Sequence, residues 1–176
     1  MTNNEDGMKK NLTNYGDKGF SIFLRKAFIK GLGYSDEMLD KKIIGITNTF
    51  SDYNPCHGNV PDLIKSVRTG ILSNGAIPLE FPTITIHESF ANPTSMYLRN
   101  LMSIDTEEML RAQPMDACVL IGGCDKTVPA QIMGGLSADI PIIQLVTGPM
   151  LTGSFRGERV GACTDCRRFW ASYRAE

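Results

Sequence analysis

Apolar positions along the chain follow two periods, and each change of period marks an element boundary. Residues 20–32 (FSIFLRKAFIKGL) carry apolar groups at helical spacing, and Gly33 supplies a stop. Residues 42–47 (KIIGIT) form a short β-branched run, the pattern of a buried strand. The polar, turn-rich loop NTFSDYNPCHGN follows. Residues 60–75 (VPDLIKSVRTGILSNG) then predict an amphipathic helix, with Pro61 suited to its first turn and Asn74–Gly75 to its end. Residues 79–86 (LEFPTITI) read as a strand interrupted by Pro82, HESFANPTSM as a loop, and residues 95–112 as helical. Within that last stretch, RNLMSIDTEEMLRAQP reads as helix–turn–helix. Asp105 or Thr106 is its cap, Glu107 and Glu108 its first turn, and its methionines a core face. Residues 116–121 (DACVLI) are a second buried strand, leading into GGCDKTVP and a helix through QIMGGLSAD. Residues 141–146 (PIIQLV) are a further strand ending at TGPM, and the tail RGERVGACTDCRRFWASYRAE is polar and then helix-like.

Strand–loop–helix units recurring in this way predict an α/β fold with a mostly parallel sheet flanked by helices. Residues 1–17 read as a polar, frayed tail and residues 18–176 as one α/β domain. In such sheets ligands gather at the carboxyl ends of strands. NPCH, HES, GGCDKT and TGPM each follow a predicted strand, so these four loops are expected to converge on one sheet edge.

Composition narrows the function classes. With 42% hydrophobic and 21% charged residues the chain is an ordinary globular one, not a disordered one. Its 18 basic and 19 acidic residues give a formal net charge of −1, which carries no footprint of nucleic-acid or membrane-surface binding. No apolar run is long enough to span a bilayer, and the N-terminus lacks the apolar core of a secretory signal. The five cysteines are odd in number, which argues against a disulfide scaffold and for a reducing cytoplasm.

Those cysteines carry the candidate chemistry. Cys124 lies in GGCDKT, where Gly122 and Gly123 allow close backbone approach to a bulky ligand. Its thiolate is a soft donor for iron or zinc; equally, it reads as an inert buried cysteine beside Asp125 as a helix cap. Cys56 lies in the tight turn NPCHGN, and His57 beside it reads as a solvent-facing loop histidine before a ligand or base. Cys163 and Cys166 have the C-x-x-C spacing of a metal or redox pair, with Arg167 and Arg168 placed to lower their thiol pKa values. No second pair closes a tetrahedral zinc site, so free thiols are an equal reading. Cys118, inside an apolar strand, reads as packing. Glu88 and Asp125 are oxygen donors suited to Mg²⁺. Lys126 opposes a cation as an ammonium but would favour one as a carbamate. The residue types alone favour a salt bridge from Lys126 to Asp125 or Glu88.

Taken together and in order, NPCH, FPTITIHESFANPTSMYLRNLMSIDTEEMLRAQPMD, VLIGGCDKT, TGPMLTG and RGERVGACTDCRRFW resemble the iron–sulfur dehydratases. That family takes in dihydroxy-acid dehydratase, phosphogluconate dehydratase and the arabinonate and xylonate dehydratases. The resemblance runs from about residue 15 to 176, and the GERVGACTDCRRFW tail is nearest the sugar-acid branch. It implies the N-terminal part of the dehydratase fold, with a C-terminal β-barrel domain absent from this chain. It also implies a [2Fe–2S] cluster, or [4Fe–4S] in some members, held by three cysteines. Cys56 and Cys124 match the first two, the third has no match in this chain, and Cys163 and Cys166 are not the matching positions. Mg²⁺ is implied at Glu88, Asp125 and a carbamylated Lys126, which reverses the salt-bridge preference. The implied reaction takes a small 2,3-dihydroxy acid or sugar acid to a 2-keto acid by loss of water, in a homo-oligomer. The catalytic base is a serine alkoxide in the absent domain, so no catalytic residue is expected here and the isolated chain is expected to be inactive. A catalytically silent metal- or cluster-binding module is the alternative.

Overall fold

The computed structural model describes residues 5–175, apart from the side chains of Asn14 and Cys163. The four predicted strand segments pair into a parallel sheet, as expected of largely apolar runs that cores can cover on both faces. They are β1 (Ile43–Asn48), β2 (Ile77–Pro82), β3 (Ala117–Gly122) and β4 (Ile142–Val146), in the order β2-β1-β3-β4 with every pair parallel. Three crossover helices link them: α3 (Val60–Ser73), α4 (Arg99–Ala112) and α5 (Thr127–Ala138). Before the sheet come α1 (Lys18–Lys30) and the single turn α2 (Asp36–Leu39), capped by Asp17 and Ser35. After it come the antiparallel hairpin β5 (Gly153–Phe155) and β6 (Glu158–Val160), and then α6 (Cys163–Ala175).

Side chains of successive strand residues go to opposite faces of the sheet. Cys118 and Leu120 of β3 join one core with Ile43, Ile77, Leu39 of α2 and Leu110 of α4. Val119 and Ile121 join the other, where Ile46 meets Val60 and Ile64 of α3. Among the described residues, α3 alone supplies the helical cover of that second core. Each fully buried aliphatic side chain contributes roughly 1.5–3 kcal/mol.

Three expectations differ from the structure. Of the predicted tail, residues 1–4 lie outside the described residues, and the part from Gly7 onward is tied down: Met8 is 3% exposed and belongs to the first core. The Asp116 carboxylate accepts from the Gly7 and Ile43 amides, and the Arg25 guanidinium donates to the Met8 and Asn11 carbonyls. The polar letters 5–11 hide this, since backbone groups make most of those contacts. Second, β2 ends at Pro82 rather than at residue 86, because proline brings no N–H to a ladder. Third, α4 runs unbroken through Asp105, whose carboxylate accepts the Ile84 amide at 2.7 Å instead of capping a new helix. Met102 of α4 is 2% exposed and Met109 packs against the first core, as their spacing suggests.

Candidate functional site

The strand order reverses direction between β1 and β3, since the chain adds β2 on one side of β1 and then β3 on the other. Such a switch point opens a crevice at the carboxyl ends of the two strands. Here side chains complete the separation. Paired positions of β1 and β3 run from Ile44–Ala117 to Ile46–Val119. Beyond them the Thr47 hydroxyl accepts the Ile121 amide at 2.8 Å and the Gln131 amide at 3.0 Å, and the Thr49 hydroxyl donates to the Ile121 carbonyl at 2.9 Å. All three side chains are buried and satisfied.

The predicted convergence of loops is present. Cys56 sits half-buried in a tight turn, Pro55–His57, after β1. His57 departs from expectation: it is fully buried, not solvent-facing. Its Nδ1 lies 2.8 Å from the Thr49 carbonyl, 3.0 Å from the Thr85 hydroxyl and 3.3 Å from Asn54 Nδ2; the shortest contact is to a carbonyl, which can only accept, and this assigns the proton to Nδ1. Its Nε2 then accepts the Gly123 amide at 2.9 Å, joining the Cys56 turn to the loop after β3. The loop after β4 closes on the same turn: the Thr147 hydroxyl donates to the Cys56 carbonyl at 3.2 Å, and Asn59 donates to the Thr147 carbonyl at 3.1 Å. Gly122 and Gly123 are required by these protein neighbours rather than by a ligand. A Cβ on Gly123 would collide with the Thr147 hydroxyl, and one on Gly122 would meet Thr127 and Gln131.

Cys124 stands where α5 begins. Its sulfur takes the place expected of Asp125 as a cap: it lies 2.9 Å from the Thr127 hydroxyl and accepts the Thr127 amide at 3.3 Å. Burial pushes this thiol up. Hydrogen bonding to His57, to Thr127 and to the Lys126 amide outweighs burial and brings the pKa down to about 6. Of these His57 acts most strongly, and it does so only when a proton on Nε2 replaces the Gly123 bond; with Nε2 bare, Thr127 and the Lys126 amide still oppose the burial, by less. Cys118 is the contrast: buried in the core, it is pushed up to about 12.

Glu88, Asp125 and Lys126 come together as well. The Lys126 ammonium is nearly buried, 2.7 Å from Asp125 Oδ1 and 3.9 Å from Glu88 Oε2. Burial lowers its pKa, and the two carboxylates more than reverse that, so this lysine is charged. The salt bridge favoured by the residue types is therefore formed. Glu88 is aimed by its neighbours: the Ser95 hydroxyl, the Thr94 hydroxyl at 2.8 Å and the Ser95 amide at 2.9 Å all donate to it. Led by Ser95, they hold the carboxyl below its usual range. Among the described residues no three His, Cys, Asp or Glu side chains gather into a metal-binding group.

The C-x-x-C lies at the start of α6. Cys166 is exposed, and the Cys163 side chain lies outside the described residues. Arg168 is held by Glu158 at 3.1 Å and Asp165 at 3.3 Å, so its charge is spent on carboxylates. Sequence reading named His57 but not its burial, and missed Thr127, Thr147 and Ser95. Their signal, small polar residues within a few positions of each loaded loop, is too common to single them out.

The family model described as dihydroxy-acid/6-phosphogluconate dehydratase N-terminal matches residues 41–176. The chain is 43% identical over 156 residues to L-arabinonate dehydratase of Rhizobium leguminosarum bv. trifolii, covering 88% of this chain and 27% of that protein. It is 42% identical over 144 residues to D-xylonate dehydratase of Caulobacter vibrioides, covering 82% and 24%. It is 40% identical over 147 residues to dihydroxy-acid dehydratase of Methanococcus vannielii, covering 81% and 27%. The chain thus spans about a quarter of the length of the curated relatives it matches.

Proposed function

The chain belongs to the dihydroxy-acid/6-phosphogluconate dehydratase family, and from that premise we propose that it is the N-terminal part of a hydro-lyase converting a 2,3-dihydroxy acid or sugar acid to a 2-keto acid. The observation that carries the reading is the meeting of two chemically different donor sets at one sheet edge. Cys56 and Cys124 occupy loops joined through His57, and Asp125 and Lys126, which directly follow Cys124, form a charged group with Glu88.

The donor types fit the cofactors. Thiols, one already acidic, suit the irons of a cluster, and carboxylate oxygens suit Mg²⁺. Two cysteines fall short of a complete cluster set, and a third donor is assigned to no residue of this chain. Lys126 would fit Mg²⁺ only as an anionic carbamate, which forms when the ammonium loses one proton and the neutral amine adds CO₂ with loss of a second. When bound, the cluster supplies a Lewis-acidic iron for the departing C3 hydroxyl, and Mg²⁺ a hard cation for the substrate carboxylate and C2 hydroxyl. The residues of this chain orient: Ser95 and Thr94 hold Glu88, and Thr127 holds the Cys124 sulfur. The base that removes the C2 proton is assigned to no residue here. The 176-residue chain by itself is accordingly expected to form no 2-keto acid. Thiols of this kind stay reduced in the cytoplasm, where we place the protein. No helix of the described residues is long and apolar enough to cross a membrane.

Anaerobic reconstitution with iron and sulfide tests the reading. Iron uptake with visible sulfur-to-iron absorption, lost in both C56S and C124S and kept when Cys163 and Cys166 are both changed to Ser, is the expected result. Absorption that follows Cys163 and Cys166 instead, or no uptake at all, would overturn it.

A further inference from the structure

Building on the reading of Cys56 and Cys124 as paired donors, we propose that His57 is a positioning residue, a rigid strut that fixes the two cysteine loops relative to one another. His57 immediately follows Cys56, and the amide it accepts belongs to Gly123, which immediately precedes Cys124. One planar ring therefore couples the backbones of both cysteines with only two torsions of its own. The ring cannot swing, because Nδ1–H is held at 2.8 Å by the Thr49 carbonyl at the end of β1. It is fully buried, and burying an imidazole is costly unless its polar atoms are satisfied; here both nitrogens are. With Nδ1 donating and Nε2 accepting, no lone pair remains for a metal or a substrate proton. That separates His57 from a ligand or a base.

Independent contacts make the strut rigid at both ends. The Thr147 hydroxyl grips the Cys56 carbonyl, and the same residue fills the space a side chain on Gly123 would need. The loops after β1, β3 and β4 are thus interlocked around the ring. A histidine serving only as core filler would need both nitrogens satisfied, but its partners need not include the residue next to the second cysteine.

The two ends of the strut can be cut separately. Gln at position 57 can offer a carbonyl oxygen to the Gly123 amide, near where Nε2 stood. Asn is shorter and can reach only the Thr49 side. The probe is Cd²⁺ titrated into the metal-free chain with Cys163 and Cys166 both changed to Ser, read by thiolate-to-cadmium charge-transfer absorption. H57N is expected to weaken Cd²⁺ binding by about 10–100-fold, the usual penalty for losing a group that orients metal donors, and H57Q by less than about tenfold. Equal losses in the two variants, or none, overturn the strut. Should both variants fail to fold, the unmutated chain decides by nitrogen-15 NMR. Coupling between the Gly123 nitrogen and a bare His57 Nε2 is expected, and a proton on Nε2 overturns the proposal. A cadmium band that survives C56S or C124S overturns the paired-donor reading instead, whatever the NMR shows.

Discussion

Cys124 and Cys118 lie six positions apart and are driven in opposite directions, one to about 6 and the other to about 12. Both are desolvated. The difference is that several hydrogen bonds outweigh burial at the Cys124 sulfur, whereas at Cys118 burial among aliphatic side chains outweighs a single bond from the Thr47 backbone. In the metal-free chain, the rate of Cys124 alkylation by iodoacetamide should level off at a lower pH than that of an ordinary thiol. Cys118 should stay unmodified, and T127V should move the Cys124 midpoint up towards the ordinary 9.0. Peptide-resolved mass spectrometry reads all three, and a midpoint that T127V leaves in place would remove Thr127 from the account. The linkage has a definite sign. A folded-state pKa below the unfolded value means deprotonation favours the fold, fully above about pH 9 and not at all below about pH 6. At this scale the sequence is legible in part. The cysteine and the carboxylates announce themselves by type and by following strands. His57 does not, because its burial is set by Gly123, 66 positions away.

At the level of elements, the period of apolar residues locates all four sheet strands and the crossover helices, since those depend on local pattern. It does not locate α2, a single turn, or the β5–β6 hairpin, which is too short and polar to alternate visibly. It also proposes a break in α4 that a long-range hydrogen bond from Ile84 makes unnecessary. Glycines show the same division. Gly70 in α3 and Gly134 in α5 look alike as letters, both being helix-interior glycines. A Cβ on Gly70 would meet nothing within 4 Å, whereas one on Gly134 would run into the Ser103 carbonyl and Thr106 of α4. G70A should therefore stabilise the chain by about 0.5–1 kcal/mol through backbone entropy. G134A should destabilise it by about 1–3 kcal/mol, because overpacking the α4–α5 contact outweighs the same entropic gain. Urea unfolding of the two variants reads both signs, and a stabilised G134A would mean the two helices part easily.

For the whole molecule, the uneven cover of the sheet has a consequence. Among the described residues, the first core is closed by α1, α2, α4 and α5, but the second has α3 alone. Beside α3 this leaves a groove of about 450 Å³ lined by Ile44, Val67, Ile71, Val119, Ile142 and Ile143. The groove runs to β4, an edge strand whose Ile143 is 68% exposed and Val146 54% exposed. An apolar face ending in an unpaired strand is a template for pairing with another chain. The 176-residue chain spans about a quarter of its relatives, so in isolation this face is expected to meet a second copy of itself. Sedimentation velocity should show association that grows with protein concentration. Lysine on an edge strand opposes such pairing, so I143K, at a side chain already largely in solvent, should shift the distribution towards monomer without lowering the unfolding midpoint. A chain that sediments as a clean monomer at every concentration would mean that α3 and the β4 edge are sufficient cover as they stand. Association that I143K leaves untouched would move the contact to another surface, such as the exposed Phe23 and Phe28 of α1.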